Sequence, residues 1–121
     1  MSVINPDFKI LTKLEEFTLL LDKTIENVPN KDKYYKDLIR NKVIELLDNI
    51  CFVNNVRLHK REYEIYRGKK KTNIDIIDFL LERIYLKKYI SVSTLEKAGY
   101  KLKEINIMAN AFLKYVARDE S

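Results

Sequence analysis

Apolar residues recur at steps of three and four along most of the chain, which is the spacing of one buried face of an α-helix. Asn5 followed by Pro6 is a helix-start signal, and Pro29 is an end signal, because the residue before a proline is pushed out of the α conformation. The pattern predicts a first helix over about residues 7–27. Its apolar face is Phe8, Leu11, Leu14, Phe17, Leu21 and Ile25.

A second apolar stripe follows Asp32, a residue type that can cap a helix N-terminus. It predicts a helix over about residues 33–57 with an inner face of Tyr35, Ile39, Val43, Leu46, Ile50 and Val53.

A third helix is predicted over about residues 73–90, capped by Thr72 or Asn73. One side carries Ile74, Ile77, Leu80, Leu81 and Ile84, and another carries Ile76, Phe79, Leu86 and Tyr89. Apolar residues on more than one face indicate a helix that is central in the protein or that also faces a second copy of the chain.

The fourth helix has the most regular pattern and is predicted over about residues 93–117, with Ser93 and Glu96 as a capping box. Its stripe is Leu95, Ala98, Leu102, Ile105, Ala109, Phe112 and Val116. With only two Gly and two Pro among the 121 residues, the chain has few turns. It is therefore expected to be all-α, a single antiparallel up-down four-helix bundle over residues 1–121.

Charge is concentrated in one place between the second and third predicted helices. The chain has 23 Lys and Arg against 18 Asp and Glu. Residues 57–71 contain seven of the basic and two of the acidic residues, so the remainder has 16 of each. We expect residues 57–72, the basic arm, to be exposed and partly helical. Such a local positive field attracts polyanions or an acidic protein surface.

Nucleic acid is one candidate ligand of the basic arm, since Arg offers paired donors to phosphate and Tyr offers a ring on which a base can stack. The predicted binding residues are Arg57, Lys60, Arg61, Tyr63, Tyr66, Arg67, Lys69, Lys70 and Lys71. A solvated, lysine-rich linker is the alternative, and the two tyrosines would then pack onto the bundle. None of these residue types is placed to read a base sequence, so binding would be through the backbone and sensitive to salt.

Catalytic and metal-binding motifs are not evident. His59 is the single histidine and Cys51 the single cysteine, eight residues apart. Asp75, Asp78 and Glu82 share a helix face, but a di-metal bundle would need Glu-x-x-His pairs. We therefore expect no enzyme activity, no metal and no cofactor. The lone cysteine, the absence of a secretory leader and of an 18-residue apolar run favour a cytoplasmic protein without membrane contact.

Two stretches resemble the Avd-type accessory proteins of diversity-generating retroelements and their relatives encoded in intervening sequences of large ribosomal RNA genes. The first is ENVPNKDKYYKDLIRNKVIELLDNI, in which a helix ends at Pro29 and a basic, aromatic-flanked helix with Arg40 follows. The second is LEKAGYKLKEINIMANAFLKYV, with Met108 and Phe112 near its end. The likeness extends over residues 10–116.

The resemblance implies a homopentamer of four-helix bundles with a positively charged surface, to which Arg40 would belong. Such an assembly would bind reverse transcriptase and its template RNA or DNA, and would support mutagenic reverse transcription without catalysing a reaction. Two other functions stay open from the residues alone. One is a helical protein–protein adaptor with an acidic partner, and the other is a small helical subunit of an RNA-guided defence complex.

Overall fold

A computed structural model describes residues 9–54 and 59–117. They form four α-helices, α1 (Lys9–Ile25), α2 (Lys33–Asn54), α3 (Lys60–Leu86) and α4 (Val92–Ala117), with one 3-10 turn at Asn30–Asp32 before α2. Short connections make successive helices antiparallel, so the predicted all-α four-helix bundle is confirmed. None of the described helices is both long enough and apolar enough to span a bilayer.

The core lies along the bundle axis and is built from the predicted stripes. Phe17 of α1, Ile39 and Leu46 of α2, Ile77 of α3 and Ile105 of α4 are fully buried. The helices α2 and α4 both pack on α3, and α1 packs on α4, whereas the seam between α1 and α2 is less closely packed.

A second, smaller apolar cluster lies at the end of the bundle where α2 ends and α3 begins. Val53 and Leu113 are its buried members, and Tyr63, Tyr66 and Phe112 pack against them. Near the end of α4 the buried position is therefore Leu113, whereas the predicted core residue Phe112 is only half-buried.

The start of the third helix differs from the prediction. α3 begins at Lys60 and not near residue 73, so residues 60–72 of the basic arm, which was expected to be only partly helical, are continuous with the third helix. Asn73 is 4% exposed and lies within α3, which rules out its predicted role as a cap. The helix also ends at Leu86, before the predicted residue 90.

The other helix ends differ less. α1 ends at Ile25, two residues before the predicted end, and its predicted start at residue 7 lies outside the described residues. α2 reaches Asn54, and the predicted end at residue 57 lies in the stretch 55–58, which is also outside them. α4 begins at Val92, and its first turn is capped by Ser91, whose Oγ accepts from the backbone N–H of Thr94 at 3.1 Å. Ser91 thus replaces the predicted Ser93 as the cap.

The connection from α3 to α4 is a Schellman turn. Lys88 has a φ of 69°, in the left-handed region, and its N–H donates to the Tyr85 carbonyl at 2.8 Å. The N–H of Tyr89 donates to the Ile84 carbonyl at 3.0 Å. These two bonds satisfy carbonyls that the end of α3 would otherwise leave unpaired.

Candidate nucleic-acid interface

From Lys60 onward the basic arm is helical for two reasons. Hydrogen bonds satisfy the backbone at its N-terminus, and its inner face packs on the bundle. Glu62 Oε1 accepts from the backbone N–H of His59 at 2.9 Å, and the Tyr63 N–H donates to the His59 carbonyl at 2.8 Å. The face toward the bundle is formed by residues at helical spacing, namely Tyr63, Tyr66, Lys70, Asn73 and Ile77. We refer to residues Lys60–Lys71 as the basic half-helix.

The helical geometry distributes the cations around the half-helix, because each residue turns about 100° from the one before it. Lys69 lines the groove between α2 and α3. Arg67 and Lys71 share a face with Ile74 and Asp78, which line the seam toward α4. Five predicted cations are exposed, namely Lys60, Arg61, Arg67, Lys69 and Lys71.

Two of the exposed cations form ion pairs within their own helix. The guanidinium of Arg67 lies 3.1 Å from Glu64 Oε2, and Lys71 Nζ lies 2.9 Å from Asp75 Oδ2. All four side chains are more than half exposed. Exposed pairs at this spacing contribute only about 0.3–0.5 kcal/mol, so a phosphate can replace either carboxylate at small cost.

Lys70 departs from the prediction, because it lies inside the bundle at 5% exposure. Its Nζ donates to Asn106 Oδ1 at 2.7 Å and to Asn110 Oδ1 at 2.6 Å, both on α4. Burial lowers the pKa of the Lys70 ammonium, and the neighbouring charges of Arg67 and Lys71 lower it further. Lys70 is therefore not one of the surface cations.

Tyr63 and Tyr66 also turn inward. Both are half-buried against the Val53–Leu113 cluster, which is the alternative left open by the sequence. Tyr66 stacks on Phe52 with 5.6 Å between ring centroids and 27° between ring planes, and Lys69 Nζ lies 5.6 Å from the Tyr66 centroid. The predicted use of these rings as open stacking platforms does not fit their packing. Phe52, the ring on which Tyr66 stacks, is half exposed.

A polar groove of about 360 Å³ runs between α2 and the basic half-helix. Its lining contains both charge signs, Lys42 and Lys69 against Glu45 and Asp48, together with Asn49, Thr72 and Asn73. Lys42 Nζ lies 3.3 Å from the Glu45 carboxylate. Equal numbers of cations and carboxylates therefore line this groove. The seam toward α4 also has both signs, with Asp75 and Asp78 near Lys103 and Asn106.

The remaining two predicted binding residues are not brought to this site. Arg57 lies in the stretch 55–58, outside the described residues. Arg40 is exposed but lines a different groove of about 190 Å³, between α1 and α2, with the apolar side chains Leu21, Ile39 and Val43. The candidate interface is therefore the exposed part of the basic half-helix without Arg40.

No metal-binding constellation is found in the described ranges. Within residues 9–54 and 59–117, no three His, Cys, Asp or Glu side chains are grouped so as to hold a metal ion. The pKa of the Cys51 thiol is raised by burial and by the charge of Asp48, which lowers the fraction present as the reactive thiolate.

Asn106 and Asn110 are the residues of the site that the sequence analysis did not single out. They are four residues apart on the edge of the α4 stripe, so they lie on one face of the helix. The spacing of the two amides beside an apolar stripe is visible in the sequence. It indicates a polar contact only when Lys70 is known to point toward α4.

Comparison with known proteins gives no match for this chain. No protein-family model matches it, and neither does any curated protein or solved structure.

Proposed function

We propose that this protein is a non-catalytic, oligomeric accessory protein that binds nucleic acid through the basic half-helix. The observation that carries the proposal is the position of five exposed cations, Lys60, Arg61, Arg67, Lys69 and Lys71, on the first turns of a packed helix. Their backbone is ordered by the capped N-terminus and by the inner face of α3. Binding then costs side-chain entropy alone and no folding of a loop.

The expected mode of binding is contact with phosphates. The half-helix is about 17 Å long at 1.5 Å per residue, which is enough to follow several successive phosphates of one strand. The affinity should fall steeply with salt, because each phosphate that is neutralised releases a counterion. Phe52, half exposed and stacked on Tyr66, offers a ring to an unpaired base.

The resemblance to Avd-type accessory proteins supplies the proposed partners. On that basis the protein forms a homopentamer and binds a reverse transcriptase with its template RNA or DNA during mutagenic reverse transcription. Five chains of net charge +5 carry five times that charge, +25 in all, which strengthens the attraction for a polyanion. Co-purification of a reverse transcriptase from the native cell tests the protein partner, and its absence from a pull-down that retains nucleic acid contradicts that part.

The test of nucleic-acid binding compares two charge-matched variants. The first replaces Lys60, Arg61, Lys69 and Lys71 with Gln. The control replaces Lys23, Lys31, Arg83 and Lys97 with Gln, which are also exposed and lie toward the opposite end of the bundle. Each variant loses three Lys and one Arg, so both have the same net charge.

Binding of a fluorescent single-stranded oligonucleotide is measured by anisotropy from low to physiological salt. The half-helix variant should lose affinity by at least about tenfold and show a shallower salt dependence, whereas the control should lose little. Equal losses in the two variants would show that only net charge matters and would remove the half-helix as the site. If the wild-type protein binds no nucleic acid at low salt, the proposal fails and an acidic protein partner becomes the function to test.

A further inference from the structure

Lys70 fixes the orientation of two amide side chains. A lysine ammonium has three donors and no acceptor, so both amides that contact it must present their oxygens. The distances of 2.7 Å to Asn106 Oδ1 and 2.6 Å to Asn110 Oδ1 fit this arrangement. The NH₂ group of each amide is then on the side away from Lys70. Both asparagines are half-buried, and Asn106 lines the seam between α3 and α4 together with Asp75, Asp78 and Lys103.

The charge of Lys70 is solvated by neutral groups alone. Its two bonded partners are amides, and the charges of Arg67 and Lys71 each lower the pKa of its ammonium more than the charge of Asp75 raises it. A buried ammonium is ordinarily paired with a carboxylate, because an uncompensated charge in a medium of low polarity is costly. Because both of its partners on α4 are Asn, Lys70 has no bonded counter-charge there. Its neighbours Arg67 and Lys71 are paired with carboxylates of α3 only.

We propose that the face formed by the amide nitrogens of Asn106 and Asn110 with Arg67 and Lys71 is a binding site for one phosphate group. The amides donate neutral hydrogen bonds, the two cations exchange their exposed carboxylate partners for the phosphate, and Lys70 lies behind the amides as a fixed positive charge. This inference rests on the proposed function where the phosphate belongs to nucleic acid, but the chemistry is the same for a free phosphate.

The site explains why neutral partners hold Lys70. Each amide both accepts from Lys70 and donates outward, so it passes the polarising effect of the ammonium to its own NH₂ group and strengthens it as a donor. A carboxylate in the same place would satisfy Lys70 equally well, but would offer no donor and would repel an anion. The arrangement suits a phosphate in a way that a purely structural link between α3 and α4 does not require.

The variant that separates the two roles replaces Asn106 and Asn110 with Asp. The change is isosteric and retains an acceptor for Lys70, so the bundle should stay folded, while both outward donors are lost and two negative charges are added. The control variant, N27D/N41D, adds the same two charges at exposed positions away from the seam. Affinity for a ten-nucleotide single strand should fall by at least about tenfold more in N106D/N110D than in the control.

The second measurement uses the unaltered protein, so it does not depend on the folding of a variant. The side-chain amide signals of Asn106 and Asn110 are followed by NMR during titration with the oligonucleotide and, separately, with inorganic phosphate. Both pairs of signals should shift and saturate with each ligand. A purely structural role for the two amides predicts that they stay unchanged.

The outcomes distinguish this site from the proposed function. If the oligonucleotide binds but the two amide signals do not move and N106D/N110D binds like the control, the phosphate site is refuted and the proposed function stands. If inorganic phosphate moves both signals while no oligonucleotide binds, the site stands and the proposed function is refuted. If neither ligand moves the signals and no nucleic acid binds, both are wrong.

Discussion

Asp32 and Tyr89 join two connections that are far apart in the sequence. The hydroxyl of Tyr89, after α3, donates to Asp32 Oδ2, just before α2, and Lys87 Nζ lies 3.5 Å from the same oxygen. The hydrogen bond from Tyr89 is the main cause that lowers the pKa of the Asp32 carboxyl, and Lys87 adds to it against the opposing effect of burial. Lys87 Nζ also lies 5.8 Å from the ring centroid of Tyr35.

This contact predicts a dependence of stability on acid. Because the pKa of Asp32 is lower in the folded chain than in the unfolded one, its contribution is fully present above the unfolded value, about 3.9. The contribution is lost as the pH falls from there through the folded value. In Y89F, the free energy of unfolding should be lower at neutral pH and should decrease less over this acid range, measured by urea unfolding at several pH values.

A control and a second carboxylate limit the interpretation of that experiment. Y100F removes a hydroxyl from an exposed tyrosine and should leave the acid range unchanged. Glu16, whose pKa is lowered mainly by the hydrogen bond from Lys101, should maintain part of the acid dependence in Y89F as well. An acid range in Y89F identical to that of the wild type would contradict the role given to Tyr89.

At the scale of the element, α3 consists of two unequal halves. From Ile74 onward α3 buries aliphatic side chains in the main core. In the basic half-helix, Lys70 is buried and Tyr63 and Tyr66 are only partly buried. Gly68 lies on its outer face, and a Cβ at that position would meet no atom within 4 Å. A glycine inside a helix costs about 1 kcal/mol relative to alanine.

The substitution G68A should therefore raise the free energy of unfolding by about 1 kcal/mol, because it lowers the entropy of the unfolded chain without a clash. G99A is the matched control, since it has equally open space within α4. Both variants should raise the unfolding midpoint in urea, but G68A alone should slow amide hydrogen exchange over residues 60–71. Unchanged exchange there would show that Gly68 does not limit the half-helix.

The sequence predicted the fold well because most inner positions are aliphatic and regularly spaced. The beginning of α3 was missed for a physical reason. Its inner face continues through Lys70 and Asn73, and two polar residues at these positions interrupt the hydrophobic period that marks a helix. Gly68 adds a second signal against a helix. Only the tertiary contact of Lys70 with α4 shows that a charged residue can occupy an inner position.

The candidate site was predicted only in part for the same reason. The concentration of charge in residues 57–71 is a property of the sequence, and five of its cations are exposed as expected. Which side of a helix each residue occupies depends on knowing that the segment is a helix, and this decided the inward positions of Lys70 and Tyr66. The contribution of Asn106 and Asn110 depends on a contact across 36 and 40 positions of the chain.

At the scale of the whole molecule, the bundle leaves large apolar side chains in solvent. Phe79 and Leu86 are 60% and 59% exposed and lie two turns apart on the outer face of α3. They are two of the four residues predicted for the second apolar side of the third helix, whereas Ile76 and Tyr89 are half-buried against the main core. Such a face is typical of a contact between protein chains, which agrees with the proposed oligomer.

We expect F79S/L86S to dissociate the oligomer. Light scattering should give a mass near 14.5 kDa for the variant and five times 14.5 kDa for the wild type. L19S is the control, because Leu19 is equally exposed but lies on α1. A wild-type protein that is monomeric at micromolar concentration would contradict the proposed pentamer, and an intact oligomer in F79S/L86S would place its contact elsewhere.

The small Val53–Leu113 cluster joins the main core through Phe112, which packs against both. We expect that the basic end of the bundle can open while the rest stays folded. Amide hydrogens near Tyr63 and Tyr66 should then exchange with solvent through this local opening, whereas those near Ile77 and Leu81 should exchange only when the whole chain unfolds. A ligand on the basic half-helix should slow exchange of the first group of amides and leave exchange of the second almost unchanged. The ratio of the two exchange rates would therefore report how much of the site is occupied, with the slow amides of the same helix as the reference.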